Sequence, residues 1–200
     1  MTQEFVNAIL EDIRGYLQIE LAGIRYVSDD MQHLYASAEQ LIAQGAAFMC
    51  FCEREQMQEL RHAGKECSCR SQASEKTKKE WAAFLKGAYA EGKAVLRFKG
   101  NMQSANHVMR DPVLFRVVKA KHFRHSTKYK VWPLYDFYNP LEDALMRVTH
   151  VLRTAEFDAR VELHDALRSL LHLPKVTIVQ YGRFNVMGAE TKGRDIRERI

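Results

Sequence analysis

VTHVLRTAEFDARVELHDALRSLLHLPKVTIVQY, residues 148–181, places a strand, a helix and a strand in succession. VTHVL (148–152) is β-branched, residues 155–171 repeat apolar side chains at helical spacing, and PKVTIVQY (174–181) reads as a buried strand. With a helical piece at 140–146 ahead of it, this alternation predicts an α/β sheet. Upstream the pattern changes. KAVLRFK (93–99) alternates, DPVLFRVV (111–118) is β-rich and YKVWPLYDF (129–137) is a third strand candidate, which predicts an inserted middle region. Phe5, Ile9, Ile13 and Leu17 predict an amphipathic helix over 3–18. Ser28-Asp29-Asp30 offers an N-cap to a second helix, through Leu34, Ala38, Leu41 and Ile42, that ends near Gly45. AAFMCFC (46–52) is extended, EREQMQELRHA (53–63) is helical up to Gly64, and another helix runs through Trp81, Phe84, Leu85 and Ala88.

The 200 residues are 46% apolar and 28% charged, enough to bury a core, so a disordered tail is excluded. No apolar run approaches the ~18 residues that span a bilayer. The N-terminal segment is an acidic amphipathic start and not a secretory signal, which predicts a soluble, cytoplasmic chain with no membrane partner. The net charge of +5 is unevenly spread: FRVVKAKHFRHSTKYK (115–130) has six Lys/Arg, two His and no acid. Lys119, Lys121, Arg124, Lys128 and Lys130 are candidate contacts on a phosphate-facing surface, the alternative being a solvated hairpin tip.

All four cysteines fall in one short stretch, Cys50-Phe51-Cys52 and Cys67-Ser68-Cys69. Two C-x-C pairs joined by a helix-sized loop can supply four tetrahedral ligands to a closed, structural Zn²⁺. Two disulfides, or four unrelated buried thiols, are the competing readings, and disulfides fit poorly with a chain lacking a secretory signal. His62 lies in the same loop and reads as a helix-surface residue.

RDPVLFRV (110–117), KYKVWPLYDF (128–137), LEDALMRVTHVLRTAEF (141–157) and YGRFNV (181–186) together resemble the glutamyl-tRNA synthetases of the archaeal and eukaryotic type, class I enzymes related to the glutaminyl ones. SDDMQHLYASAEQLIAQGAAFMCFC (28–52) resembles the stretch leading into that family's acceptor-stem domain. The resemblance implies the second half of a Rossmann-type catalytic domain carrying an inserted α+β, zinc-containing, acceptor-stem-binding subdomain. Its implied divisions are a helical part at 1–41, the insert at 42–125 and the catalytic half at 126–200. It further implies that Tyr135 and Asn139 line the amino-acid pocket. Arg153 would pair with the side-chain carboxylate of glutamate, where glutaminyl relatives carry a small uncharged residue. The competing reading of Arg153, less favoured, is a surface salt bridge to Glu156 or Asp158. Thr154 matches a position that approaches ATP, the cofactor used with Mg²⁺, and Arg183 and Phe184 match positions that contact the nucleotide. AETKGRDIRERI (189–200) stands where the family has a Lys-Met-Ser-Lys-Ser-like loop. There Thr191 and catalytic Lys192 would neutralise departing pyrophosphate.

Nothing in the sequence resembles the family's His-Ile-Gly-His-like signature, and Arg147 stands where a glycine is usual before Val148-Thr149-His150. The expectation is therefore a glutamate–tRNA ligase fragment that uses ATP, glutamate and the tRNA acceptor stem, with a second chain supplying the signature half. Two other readings compete: a non-catalytic module that binds RNA or protein, and a paralogue charging a modified nucleotide, which should however retain that half.

Overall fold

The structure is a computed structural model and describes residues 2–182 together with Gly188. After helix α1 (Gln3–Glu11), α2 (Met31–Ala43) leads into a four-stranded antiparallel sheet in the order β1 (Ala47–Cys50), β2 (Val95–Phe98), β3 (Val113–Val117), β4 (Val131–Pro133). Helices α3 (Arg54–His62) and α4 (Ser74–Leu85) lie between β1 and β2. Helix α5 (Tyr135–Leu145) then leads to β5 (His150–Thr154), α6 (Asp158–Leu170) and β6 (Thr177–Tyr181), and β5 and β6 pair in parallel. Among the described residues no helix is long and apolar enough to cross a membrane.

The pleat of β1 and β2 divides the interior in two, because alternate residues point to opposite faces. Ala47, Met49, Leu96 and Phe98 face the main core, with Trp81 of α4, Phe137 of α5 and Leu163 and Leu167 of α6. Phe115 sits at its centre, with ring centroids 5.2 Å from Trp81 and 4.8 Å from Phe137. Phe48, Cys50 and Val95 face the other way, onto Met57 of α3 and the cysteine loop.

Several boundaries differ from the sequence pattern. The helix expected over 3–18 stops at Glu11 and continues as a π-helical turn, Asp12–Tyr16, with Phe5, Ile9 and Leu17 exposed. Asp30 is the N-cap of α2 but caps nothing with its side chain, because its carboxylate is held by Arg25 at 2.5 and 2.9 Å. The third strand candidate is a strand only to Pro133. Tyr135-Asp136-Phe137 opens α5, which accommodates a buried Pro140 that the sequence pattern had placed at a helix start. PKVTIVQY is not a buried strand: Thr177, Val179 and Tyr181 of β6 are exposed, since its outward face meets no described element.

Helices α2 to α6 all end alike: the second residue past the cap returns a hydrogen bond across the last turn, for example Ala46 N–H to the Leu41 carbonyl and Val148 N–H to that of Asp143. This closure needs a left-handed residue, which is Gly45, Gly64 or Gly87 in three helices but Arg147 (φ +53°) and His172 (φ +55°) in α5 and α6. The Arg147→Gly variant should therefore gain ~1 kcal/mol in stability, read by denaturant unfolding.

The loop entering β3 is tied to the cysteine loop by ions. Asp111 is fully buried and accepts hydrogen bonds from Arg70 Nε (2.9 Å) and Gly100 N–H (3.0 Å), while Arg70 also donates to the Gly100 carbonyl. Burial pushes the Asp111 carboxyl up, and Arg70 opposes that shift. A methyl group on Gly100 would overlap the Met109 carbonyl oxygen. Gly100→Ala should cost about 3 kcal/mol and loosen the cysteine loop along with it, seen as lost amide protection at 67–71.

Candidate functional site

Cys50 ends β1 and Cys52 follows it, while Cys67 is the N-cap of a single 3-10 turn, Ser68–Ser71, and Cys69 lies within it. The four Sγ atoms lie within 4.8 Å of one another, Cys52 and Cys69 at 3.8 Å, and none is in a disulfide. A tetrahedron of thiolates around zinc has S–S edges of about 3.8 Å, and a disulfide needs about 2.05 Å. Donor set, spacing and burial therefore fit a soft four-coordinate ion. A hydrogen bond from Cys67 draws the Cys50 thiol down to about 5, whereas burial and the neighbouring Cys50 and Cys69 push Cys52 up to about 12. Cys67 is also pushed up, first by its bond to Cys50. Without a metal, Cys52 and Cys67 thus keep their protons beside a Cys50 thiolate, and a cation would displace those protons. A cleft of about 790 Å³ opens beside them, with Arg54, Arg61, Arg97, Arg116 and His107 on its walls.

The second constellation joins α5, β5 and α6. Arg153, only 7% exposed, donates from Nη2 to Asn139 Oδ1 (3.1 Å) and faces His164 Nδ1 with Nη1 (3.4 Å). The salt bridge to Glu156 or Asp158 weighed from the sequence is not made. His164 is fully buried, and its Nε2 meets Asp136 Oδ1 at 3.3 Å. The other Asp136 oxygen pairs with Arg160. Burial raises the Asp136 carboxyl, but the bonds from His164 and Arg160 and the Arg160 charge outweigh it and hold the group below the usual carboxylate range. The Tyr135 ring packs 5.8 Å from both His164 and Phe157, centroid to centroid.

Tyr135, Asn139 and Arg153, chosen from the sequence, thus come together. Thr154 falls on the opposite face of β5, as strand alternation requires, and pairs with Tyr181. Arg183, Phe184, Thr191 and Lys192 lie outside the described residues. The five candidate RNA contacts sit on the loop between β3 and β4, all exposed. They are not equivalent. The Arg124 guanidinium lies 3.8 Å over the Tyr26 ring and 3.0 Å from Asp29, and Lys130 donates to the Lys86 carbonyl (3.2 Å). Sequence reasoning missed Asp136, Arg160 and His164. The available signal was a polar His164 between Leu163 and Leu167 on an apolar helix face, one turn after Arg160.

The family of "tRNA synthetases class I (E and Q), catalytic domain" matches residues 1–198. A glutamate–tRNA ligase of Cenarchaeum symbiosum is 36% identical over 185 residues, 92% of this chain and 33% of that protein. A cytoplasmic glutamate–tRNA ligase of Arabidopsis thaliana is 34% identical over 93% of this chain and 26% of its own length. The chain thus spans about a third of the length of the curated relatives it matches. Among solved structures, a glutamate tRNA ligase from Elizabethkingia meningosepticum, in complex with its amino acid, superposes with a TM-score of 0.53 at 17% identity, over 88% of this chain and 38% of that one. At that identity the likeness carries the fold alone. With the family match running along nearly its whole length, the chain belongs to the class I tRNA synthetases of the glutamate and glutamine type, within their catalytic domain.

Proposed function

We propose that this chain is the glutamate-recognising and acceptor-stem-docking part of a glutamate–tRNA ligase. The carrying observation is the state of Arg153. It is a buried cation whose two described partners, Asn139 Oδ1 and the His164 ring, include no carboxylate. By contrast the buried Arg168 meets Asp143 at 2.8 Å and Asp165 at 3.3 Å. Arg153 and Arg160 together bring one more positive charge than Asp136 neutralises, so a ligand carboxylate completes the balance. An amide side chain would leave that charge uncompensated, which discriminates against glutamine.

In this reading glutamate's side-chain carboxylate is held on Arg153, with the Tyr135 hydroxyl and Asn139 beside it. Its α-carboxylate stays free to attack the α-phosphorus of Mg²⁺-bound ATP and expel pyrophosphate. The ribose hydroxyl at the tRNA 3′ end then attacks the resulting acyl adenylate and releases AMP. Thr154, Arg183, Phe184 and Thr191 are assigned to the nucleotide, and Lys192 to the charge on the leaving pyrophosphate. The arginine-walled cleft beside the cysteines supports docking of an acceptor stem, with Lys119, Lys121, Arg124, Lys128 and Lys130 as further phosphate contacts. The divisions 1–41, 42–125 and 126–200 belong to this reading, and β4 continues the antiparallel sheet past 125. The apolar face of the β5–β6 pair that no described residue covers supports a second chain or segment bearing the signature half. The alternative is a module that binds RNA without catalysis. It is favoured by Lys119 and Lys121, which are exposed and form no ion pair among the described residues.

Glutamate-dependent ATP–pyrophosphate exchange, run with tRNA on the chain alone and with a chain carrying the signature half, separates the two. Activity in either arm supports the ligase. Salt-sensitive RNA binding with no exchange in both supports the module. In the active assembly Arg153→Ala should raise the glutamate requirement on the order of 100-fold or more, and an unchanged requirement would refute the assignment.

The cysteines are assigned to structural Zn²⁺, which when bound would cross-link the 50–52 and 67–69 segments. Because Cys52 and Cys67 hold their protons without metal, uptake should release protons and tighten as pH rises. Cys52→Ser should weaken retention against a chelator and leave the main core folded, measured by competition with a chromophoric chelator.

A further inference from the structure

The structure assigns His164 the task of positioning Arg153: a neutral imidazole, bonded to Asp136 through Nε2–H, holds the guanidinium in the orientation that favours a carboxylate over an amide. This deepens the glutamate reading and rests on it.

A guanidinium has five N–H donors and no acceptor, so the nitrogen facing it must accept. His164 Nδ1 stands 3.4 Å from Arg153 Nη1 and therefore carries a lone pair. A neutral ring with a bare Nδ1 has its proton on Nε2, which faces Asp136 Oδ1 at 3.3 Å, an atom that can receive it. Arg160 occupies the other Asp136 oxygen, so the carboxylate is anchored from both sides. The result is a directed chain, Asp136 to His164 to Arg153, running across three elements of the fold.

Two consequences follow for Arg153. Its Nη2 is fixed by Asn139 and its Nη1 by His164, so the plane of the fork is set at two corners. Three N–H donors remain for a ligand, and they are pre-oriented before it arrives. Both ring nitrogens of His164 are also committed to side chains of the site, with no backbone carbonyl between. A histidine serving only to fill the core between Leu163 and Leu167 would be better replaced there by an apolar residue, since a buried ring nitrogen is costly unless bonded.

The first measurement needs no substitution. Long-range ¹H–¹⁵N spectra of the unaltered 200-residue chain should show His164 as the Nε2–H tautomer. An Nδ1–H ring or an imidazolium would overturn the assignment. The second uses glutamate and glutamine as probes, in calorimetric titrations with tRNA present. His164→Leu should lower the glutamate-over-glutamine preference ~10-fold or more. His164→Gln, whose amide can accept from Arg153 and donate to Asp136, should restore most of it. Thermal melts followed by circular dichroism report whether each variant folds. An unchanged preference in folded His164→Leu overturns the positioning role. If Arg153→Ala loses the preference while His164→Leu keeps it, only this inference fails. If the unaltered chain binds no glutamate, or Arg153→Ala keeps the preference, both readings fail.

Discussion

The pairing of β1 with β2 is the constraint on which the rest of the molecule depends. Ala47 opposes Phe98 and Met49 opposes Leu96 on one face, while Phe48 opposes Arg97 and Cys50 opposes Val95 on the other. A slip of one residue would send Met49 and Leu96 to the cysteine loop and Cys50 into the main core. Both faces are buried, so register is specified twice. One face recruits α2, α4, α5 and α6 into a continuous apolar interior, and the other receives α3 and the thiol cluster. The helix that presents Tyr135 and Asn139 and the helix that presents His164 are therefore docked on the same sheet that ends in Cys50.

Much of this was legible in the sequence, and the parts that were not share a physical reason. α3, α6 and the strands at Val95 and Val113 follow from periodicity, and the end of α3 from Gly64, which are local signals. The start of α5 was hidden because Pro140 imitates a helix beginning, whereas the helix forms five residues earlier under the pull of Phe137 and Leu141 into the core. β6 looked buried because its composition is β-branched and apolar, and composition carries no information about which neighbours are present. The cysteine cluster was visible because C-x-C pairs are local. The charges around Asp136 were not, since Asp136, Arg160 and His164 meet only when α5 and α6 pack.

Buried charge is handled in two ways. Asp111 with Arg70, and Arg168 with Asp143, are closed pairs that brace loops and helices, and removing one partner would strand the other. Arg153 is different in kind, because its described partners are Asn139 and the His164 ring, and the Asp136 carboxylate beyond that ring is already claimed by Arg160. Pairs of the first kind stabilise the fold. A cation of the second kind is tolerated when something else compensates it, and in a binding site that something is the ligand.

The β5–β6 pair separates the two halves of the proposed chemistry. Its face bearing Val151, Arg153 and Ile178 lies against α6, where Gln180 also reaches Asp158 at 2.7 Å. The opposite face carries Leu152, Val179 and Tyr181, all exposed, along with Thr154. Parallel strands are stable when both faces are covered, and among the described residues nothing covers this second face. On the glutamate reading, the carboxylate-binding Arg153 belongs to the closed face and is fully supported by α5 and α6. Thr154, one residue further along, turns toward the open face, so contacts to the nucleotide depend on whatever covers it. On that reading, recognition of the amino acid would rest on this chain's own packing of α5, β5 and α6, and its activation would depend on whatever completes the sheet.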